Sequence, residues 1–476
     1  MKFLGGFHAF PGGQLEPGDS LVMVDGCDDS ERSMMIACAV RELFEELGVL
    51  LARGVDPLTK GQRVSLLDDI ESGRMTFAEM LSHYGLSINA EDFTFVGRWI
   101  TPAFSPLRFD TWFFLAGCPA RQTPEIRGSE FDIGGWVPAA AAYDEWNQAR
   151  FLAAPPVIHA VKTLSDGLTA DLVDRFLAIP QARLAPVRRI EFRPGFICFP
   201  VRTPTRPPAT HTNCYIVGNH EVMIVDPGSP YQEEQLELAK CVDELIAEGR
   251  KVREIILTHL HPDHIGGVNH LVAHLHSKVS VAAHRFTADA IAGTIDVNRY
   301  IEDGDKIELI GEPPIILEAM HTPGHARGHL CFYHAESGAL ITGDNIVGVG
   351  SVLIDPPEGK MQDYMATLRR LQGLPKLSVL FGGHGPAVGN PREKIAEYIA
   401  HRLEREQSIL DAVRRQPSTP VEIVKTVYTD VDPRTYGMAE RAVLAHLEKL
   451  ENENLVLLDP DGKYAAITGE GISVEI

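Results

Sequence analysis

No run in these 476 residues approaches the roughly 18–20 consecutive apolar positions that a bilayer-crossing helix needs. The opening MKFLGGFHAFPGG also lacks the charged-then-apolar layout of an export signal, so the expected location is the cytosol. Cysteine is sparse. The seven present (27, 38, 118, 198, 214, 241 and 331) are odd in number and contain no CxxC pair, which argues against a disulfide framework and predicts reduced, mostly buried thiols. Positive charge is short too: 44 Lys and Arg against 65 Asp and Glu leave a net charge of −21, so the surface as a whole repels phosphate backbones unless basic residues gather locally. There is no fixed-period repeat and no low-complexity tract. What remains is a chain 44% hydrophobic and 23% charged, ordinary for a globular protein and too long for one core, so two or three domains are expected.

Composition breaks most clearly between about Pro180 and Pro208, where IPQARLAPVRRIEFRPGFICFPVRTPTRPP concentrates proline and arginine. The predicted organisation is a first domain over 1–180, a linker with the strand leading out of it over 181–208, a second domain over 209–390 and a helix-rich module over 391–476. In the first, FTFVGRWI and FDTWFFLA alternate as strands do, and MMIACAVRELFEELGVLLA has helical spacing. In the second, short apolar runs (NCYIVG, EVMIVDPG, EIILTHL, LCFYHA, ALITGD, LSVLFGGHG) alternate with helical stretches such as QEEQLELAKCVDELIAEG. The third reads as three helices and a small hairpin, the layout of a winged helix. The fold class is multidomain, α/β and α+β.

The densest chemistry is THLHPDH at 258–264, directly after the strand-like EIIL. His259, His261, Asp263 and His264 cannot share one helix face, but an irregular loop can turn them toward two adjacent ions. Imidazole and carboxylate are ligands that zinc, iron and manganese accept. His325 in HTPGH, Asp344 in LITGD and His384 in LFGGHGP each follow an apolar run beside glycine or proline, where backbone can bend to aim a side chain.

The order HxHxDH, TPGH, GD, GH resembles the metallo-β-lactamase superfamily. That resemblance implies an αββα sandwich holding two zinc ions. His259, His261 and His325 would be ligands of the first, Asp263, His264 and His384 of the second, and Asp344 the bridge, with Asp263 and Asp344 the catalytic carboxylates. A hydroxide between the ions would be the nucleophile. Asp226 in VDPG matches the superfamily's first motif and would orient the metal loop, or else simply forms a turn before Pro227. His321 and His329 are extra histidines; with two ligand sets already complete, His329 reads as structural or substrate-facing. Within the superfamily, similarity is greatest to the beta-lactamase-like protein 2 type, over about Arg193 to Leu457, on ATHTNCYIVG, HTPGHARGH, ITGDNIVGVGS, MQDYMATLRRL, GGHGPAV and EYIAHRLEREQSIL. This implies a metal-dependent hydrolase, with a phosphodiester such as single-stranded RNA the favoured substrate. Hydrolysis of a thioester, as in glyoxalase-like members, or of another carbonyl derivative is the alternative.

FPGG at 10–13 and RELFEELG at 41–48 form a second constellation. On a helix Glu42, Glu45 and Glu46 share a face and repel one another unless a cation sits among them; oxygen-only ligands suit Mg2+ or Mn2+ and diphosphate substrates. Alone, a solvated acidic face explains them as well. With PGG before it and Gly48 after it, the run resembles a Nudix box, and RWITPAFSPLRFDTWFFLA and GSEFDIGGWVPAAAA resemble the Nudix branch that includes coenzyme A diphosphatases. The resemblance implies an α/β/α domain that hydrolyses a nucleotide-linked diphosphate, with Glu42, Glu45 and Glu46 as metal ligands and Arg41 as an internal salt-bridge partner. Two departures stand out. The nearest match to the acid after PGG is Asp19, with residues 20–40 lengthening the loop. Only a short stretch precedes Pro11, so either the start is truncated or the sheet lacks an edge strand and invites pairing with a second copy.

The helix-rich module holds eleven Lys and Arg against sixteen Asp and Glu, a net of −5, whereas nucleic-acid modules are basic. Its positives gather at Arg402, Arg405, Arg414 and Arg415. Helix packing or dimerisation is therefore its expected role, and stable nucleic-acid binding is not expected. Expected partners are a small-molecule or short nucleic-acid substrate and a second copy of the chain, with no membrane. The reading from another class is a binding or assembly protein with a vestigial Nudix half. Against it, unneeded ligands would carry desolvation and repulsion costs.

Overall fold

The computed structural model describes residues 5–102, 104–105, 107–127, 132–183, 187–276, 279–429 and 431–467. Two units are distinguished, Phe7–Pro102 with Arg108–Val187, and a second that takes in the described chain from Arg188 onward.

In the first unit, helix α1 (Ser30–Leu47) begins where the Asp29 carboxylate accepts from the backbone N–H groups of Glu31 and Arg32. It ends where Gly48 turns to a φ of 66°, so the helical periodicity that continues to residue 52 outruns the helix itself. Ile36, Val40 and Phe44 of α1 form a core with Leu66 and Leu67 of α2 (Lys60–Glu71) and Met80 of α3 (Phe77–His83). Strands are few. β1 (Val24–Asp25) pairs in parallel with β2 (Ile88–Asn89) over two residues, and β3 (Phe93–Ile100) pairs antiparallel with β4 (Asp110–Ala116). These remain separate two-stranded pairs, so the single sheet of the expected Nudix-like α/β/α domain is not formed among the described residues. The local sequence gives the reason: Pro11, Gly12, Gly13, Pro17 and Gly18 cannot sustain a ladder, and 17–21 coils into one 3-10 turn. Helices α4 (Ala139–Asn147), α5 (Pro155–Ser165) and α6 (Leu172–Phe176) complete the unit, with α5 and α6 packing Ala160, Leu172 and Phe176 against Val96 of β3.

The second unit opens with β5 (Ile190–Arg193) and β6 (Phe196–Arg202), within the stretch read as a linker. Pro200 is tolerated inside β6 because β5 pairs no further along β6 than Cys198, leaving Pro200 bonded on one side only, opposite Asn213. These strands join β7 (His211–Val217), β8 (Glu221–Val225), β9 (Lys251–Ile256), β10 (Ser280–Ala283) and β11 (Arg299–Tyr300) in a seven-stranded sheet. A five-stranded sheet follows, ordered β12 (Lys306–Leu309), β13 (Ile315–His321), β14 (Leu330–His334), β15 (Ala339–Gly343) and β16 (Val379–Gly382). Phe381 of β16 stacks on Phe192 and Phe196 and lies against Tyr215, joining the inner faces of the two sheets. Outside, α7 (Gln232–Ala247) lays Leu238, Val242 and Leu245 on the first sheet together with Leu271 of α9 (Val268–His274). Against the second sheet, α11 (Met361–Gln372) lays Met361, Met365 and Leu368. The layering is αββα. Two short helices, α8 (Pro262–Ile265) and α10 (Arg285–Ala290), lie in the connections.

Helices α12 (Pro391–Arg415), α13 (Pro420–Val427) and α14 (Tyr436–Asn452) and the hairpin β17 (Val456–Leu458)–β18 (Tyr464–Ala466) form the winged helix around Ile409, Val413, Ile423, Val443 and Leu447. All seven cysteines are free, and five of them are buried. Among the described residues no helix is long and apolar enough to cross a membrane. Phe381→Ala should remove the contact between the sheets and destabilise the second unit by about 3–5 kcal/mol, read as a lowered midpoint for that unit in urea unfolding; a shift below about 1 kcal/mol would contradict this packing role.

Candidate metal centre

The candidate ligands stand beyond strand ends. Asp226 follows β8, the 259–264 segment follows β9, His325 lies in the turn after β13, Asp344 follows β15 and His384 follows β16. A strand's ladder satisfies its own backbone, so the residues just past it are free to turn and aim side chains.

Asp226 organises the loops. Its backbone takes a φ of 51°, uncommon for a residue other than glycine. Its buried carboxylate accepts from Thr258 N at 2.8 Å, Thr258 Oγ1 at 2.6 Å and His264 Nδ1 at 2.8 Å. One side chain thereby fixes both ends of the histidine-rich segment.

Two ligand groups result. His259 Nε2 and His325 Nε2 lie 2.9 and 3.0 Å from His261 Nδ1, near the about 3.3 Å between two nitrogens on one tetrahedral zinc. The remote nitrogens of the outer rings are occupied: Thr258 Oγ1 lies 2.9 Å from His259 Nδ1, and His325 Nδ1 donates to the Leu353 carbonyl at 2.9 Å. In the second group His384 Nε2 lies 3.5 Å from Asp263 Oδ2, and its Nδ1 donates to the His211 carbonyl at 2.8 Å. Within each group, His259–His261–His325 and Asp263–His264–His384, one donor atom per residue falls within 4.8 Å of the others. Asp344 lies between the groups, with Oδ1 3.3 Å from His264 Nε2, and Oδ2 3.3 Å from His384 Nε2 and 3.8 Å from His325 Nε2. Asp226, His259 and His264 also cluster, but the Asp226 oxygens are already bonded to Thr258 and His264.

These residues fit a pair of cations. His264 Nε2 and Asp344 Oδ1 are both buried without a hydrogen-bond partner, 3.3 Å apart, and with His264 Nδ1 bonded to Asp226 these are the atoms left for a cation. A Cβ on Gly383 would fall 2.3 Å from Asp344 Oδ1 and 2.8 Å from His264 Cε1, so only glycine leaves that carboxylate its place. Burial, reinforced by neighbouring imidazoles, holds His259 well below the usual histidine range and pushes His325 down to about 3, favouring the neutral ring that binds metal. Burial acts the same way on His264 and His384, but the Asp344 carboxylate, joined at His264 by Asp226 and Asp263, outweighs it and raises both. Despite burial, the same two histidines hold Asp344 well below the carboxylate range.

The other histidines lie outside these groups. His329 is buried and accepts the Asp344 backbone N–H at 3.2 Å, while His321 stacks face to face on His284 with centroids 4.1 Å apart. In the first unit none of Glu42, Glu45 and Glu46 belongs to a cluster of three donors among the described residues. The Arg41 guanidinium pairs with Glu42 at 3.1 Å, Glu45 at 2.9 Å and the buried Asp19 at 2.8 Å, while Glu46 accepts from Gly12 N at 3.0 Å. The cation beside Glu42 and Glu45 is the chain's own. Several contributors left little trace in the sequence: Thr258, the Leu353 carbonyl, Thr205, whose Oγ1 is 3.4 Å from His384 Nε2, and Asn213, whose amide donates to the Gly382 and Gly385 carbonyls on either side of His384. For Asn213 the available signal was a polar side chain opening the apolar run NCYIV.

Comparison with known proteins agrees with this geometry. The family model described as Metallo-beta-lactamase superfamily matches residues 207–384, and the Beta-lactamase associated winged helix domain matches 419–463. A Beta-lactamase-like protein 2 homolog of Caenorhabditis elegans is 29% identical over 221 residues, covering 46% of this chain and 71% of that one. Lactamase-like protein GME11357 of Pestalotiopsis microspora is 30% identical, covering 52% and 73%. Atrochrysone carboxyl ACP thioesterase AgnL7 of Paecilomyces divaricatus is 28% identical, covering 64% and 93%. A beta-lactamase domain protein from Burkholderia ambifaria, 21% identical, superposes with a TM-score of 0.52 over 60% of this chain and 95% of its own.

Gly383→Ala should drive Asp344 from its place, and the purified variant should hold fewer than two equivalents of metal by elemental analysis after reconstitution. Two full equivalents would refute the close approach at Gly383.

Proposed function

Because the chain belongs to the metallo-beta-lactamase superfamily, we propose that its second unit hydrolyses an acyl thioester, using two zinc ions held by His259, His261 and His325, by Asp263, His264 and His384, and by Asp344 between them. Such a pair, when bound, lowers the pKa of water and polarises a carbonyl. The chain's own residues do the positioning. Asp226 fixes the His264 ring and the start of the histidine loop, and the His211 and Leu353 carbonyls hold the His384 and His325 rings with their Nε2 atoms inward. Thr205 offers a neutral hydroxyl beside His384.

What carries the thioester reading over the phosphodiester favoured by sequence alone is the relative named as an ACP thioesterase, matched along 93% of its length. The fate of the module's arginines supports it. Arg402 is buried and donates to the Val352 carbonyl, and Arg405 donates to the Val427 carbonyl at 2.7 Å and stacks on Tyr428. Two of the four clustered positives are thus spent inside the protein, on a module already net negative. For the first unit, Nudix-type hydrolysis of a nucleotide-linked diphosphate with Mg2+ or Mn2+ rests on one observation: Gly12 N on Glu46 and Asp19 on Arg41 fold the PGG segment onto α1. Its test is Glu46→Gln, which should abolish any diphosphatase activity; an unaffected rate would leave the vestigial reading.

Assays of the zinc-loaded protein on acyl thioesters, single-stranded RNA, a lactam and nucleotide diphosphates should find thioester hydrolysis. A chelator should abolish it, zinc restore it, and His261→Ala lower kcat/KM at least 100-fold. RNA cleavage without thioester hydrolysis would overturn the substrate class.

A further inference from the structure

Between Asp344 and α11 the chain runs without regular secondary structure, a strap over 345–360 that adjoins the metal centre twice. It leaves directly from Asp344, and at its middle the Leu353 carbonyl accepts a hydrogen bond from His325 Nδ1–H. A neutral imidazole carries one proton, so that hydrogen bond is what turns the His325 Nε2 lone pair toward His261 and Asp344. Where Leu353 stands, His325 aims.

The side chains that fix this part of the strap come from the winged helix. Arg402 Nη2 of α12 donates to the Val352 carbonyl, and Arg441 of α14 donates through Nε to Asp355 Oδ1 at 2.5 Å and through Nη2 to the Pro356 carbonyl. These bonds bracket Leu353 on both sides. Upstream, the Tyr398 hydroxyl of α12 accepts the Val347 N–H at 3.3 Å and lies 3.3 Å from both the Val347 and Gly350 carbonyls, with its one proton to give to either. Apolar contact runs the same way: Val352 and Ile354 share a core with Ile395 and Tyr398 of α12 and Ala445 of α14.

We infer that the winged-helix module is part of the metal centre's scaffold, with Arg402 and Arg441 as positioning residues that hold the strap so that Leu353 aims His325. The module's work is then directed inward, at one ligand of the His259–His261–His325 group. The inference rests on the two-metal reading above.

Its test uses the full chain, stripped of metal, titrated with Zn2+ against a chromophoric chelator and loaded with Co2+ for its visible spectrum. Arg441→Ala and Asp355→Asn should each weaken one of the two equivalents tenfold or more and shift the Co2+ bands, and Arg441→Lys should recover part of the loss. Arg434→Ala, at an exposed arginine paired with Asp432 in the same module, should match wild type. Asp355→Asn leaves every winged-helix side chain intact, so it reads the contact even where an arginine variant unfolds. Affinities within twofold of wild type and an unshifted spectrum in Arg441→Ala and Asp355→Asn would overturn the inference, as would an equal loss in Arg434→Ala. His261→Ala separates premise from inference. Full metal content in that variant would end the two-metal reading itself, whereas loss there beside an unaffected Arg441→Ala would end only the role of the strap.

Discussion

The Asp226 carboxylate holds together two segments more than thirty residues apart, and the metal centre depends on that junction. Three donors converge on it, two from Thr258 and one from His264, in a position closed to water. A left-handed backbone at a residue with a side chain costs of order 1–3 kcal/mol, and here it is repaid by charge-assisted hydrogen bonds that are strong in a low-dielectric setting. From that anchor the rest follows in sequence: His264 is oriented, its Nε2 confronts Asp344, and Asp344 reaches His384 and His325.

The candidate ligands were legible because their chemistry is unusual for a globular chain. Histidines and aspartates at the ends of successive apolar runs have few structural excuses, and their order matched a known pattern. What escaped notice works through backbone or through plain residues. The Leu353 carbonyl has no side-chain signature, and Thr258 is one threonine among many until Asp226 is found beside it. Over 181–208 a leading strand was expected and two are formed, since composition cannot tell that Pro200 lies where β5 has already stopped. In the first unit the REXXEE spacing foretold a shared helix face, and α1 provides it, but spacing says nothing about which cation fills the gap. Arg41, one residue upstream, reaches Glu42, Glu45 and Asp19 at once.

Charge patterning explains how a chain so acidic overall can hold a strongly ionic centre. The buried carboxylates are matched by imidazoles within it, and most surface acids are far from those loops in sequence. The winged helix illustrates the same economy. Its arginines, which as text suggest a polyanion partner, meet carbonyls, an aspartate and aromatic faces inside the unit. Counting positive residues therefore overstates what is available to a ligand.

Asn213 has one more implication. Its side-chain amide, on a strand of the seven-stranded sheet, donates to the Gly382 and Gly385 carbonyls at the end of the five-stranded one, and its backbone N–H donates to the Gly383 carbonyl between them. Sliding of one sheet over the other would strain all three links and carry the turn that holds His384 with it, so the position of that turn follows the packing of the two layers.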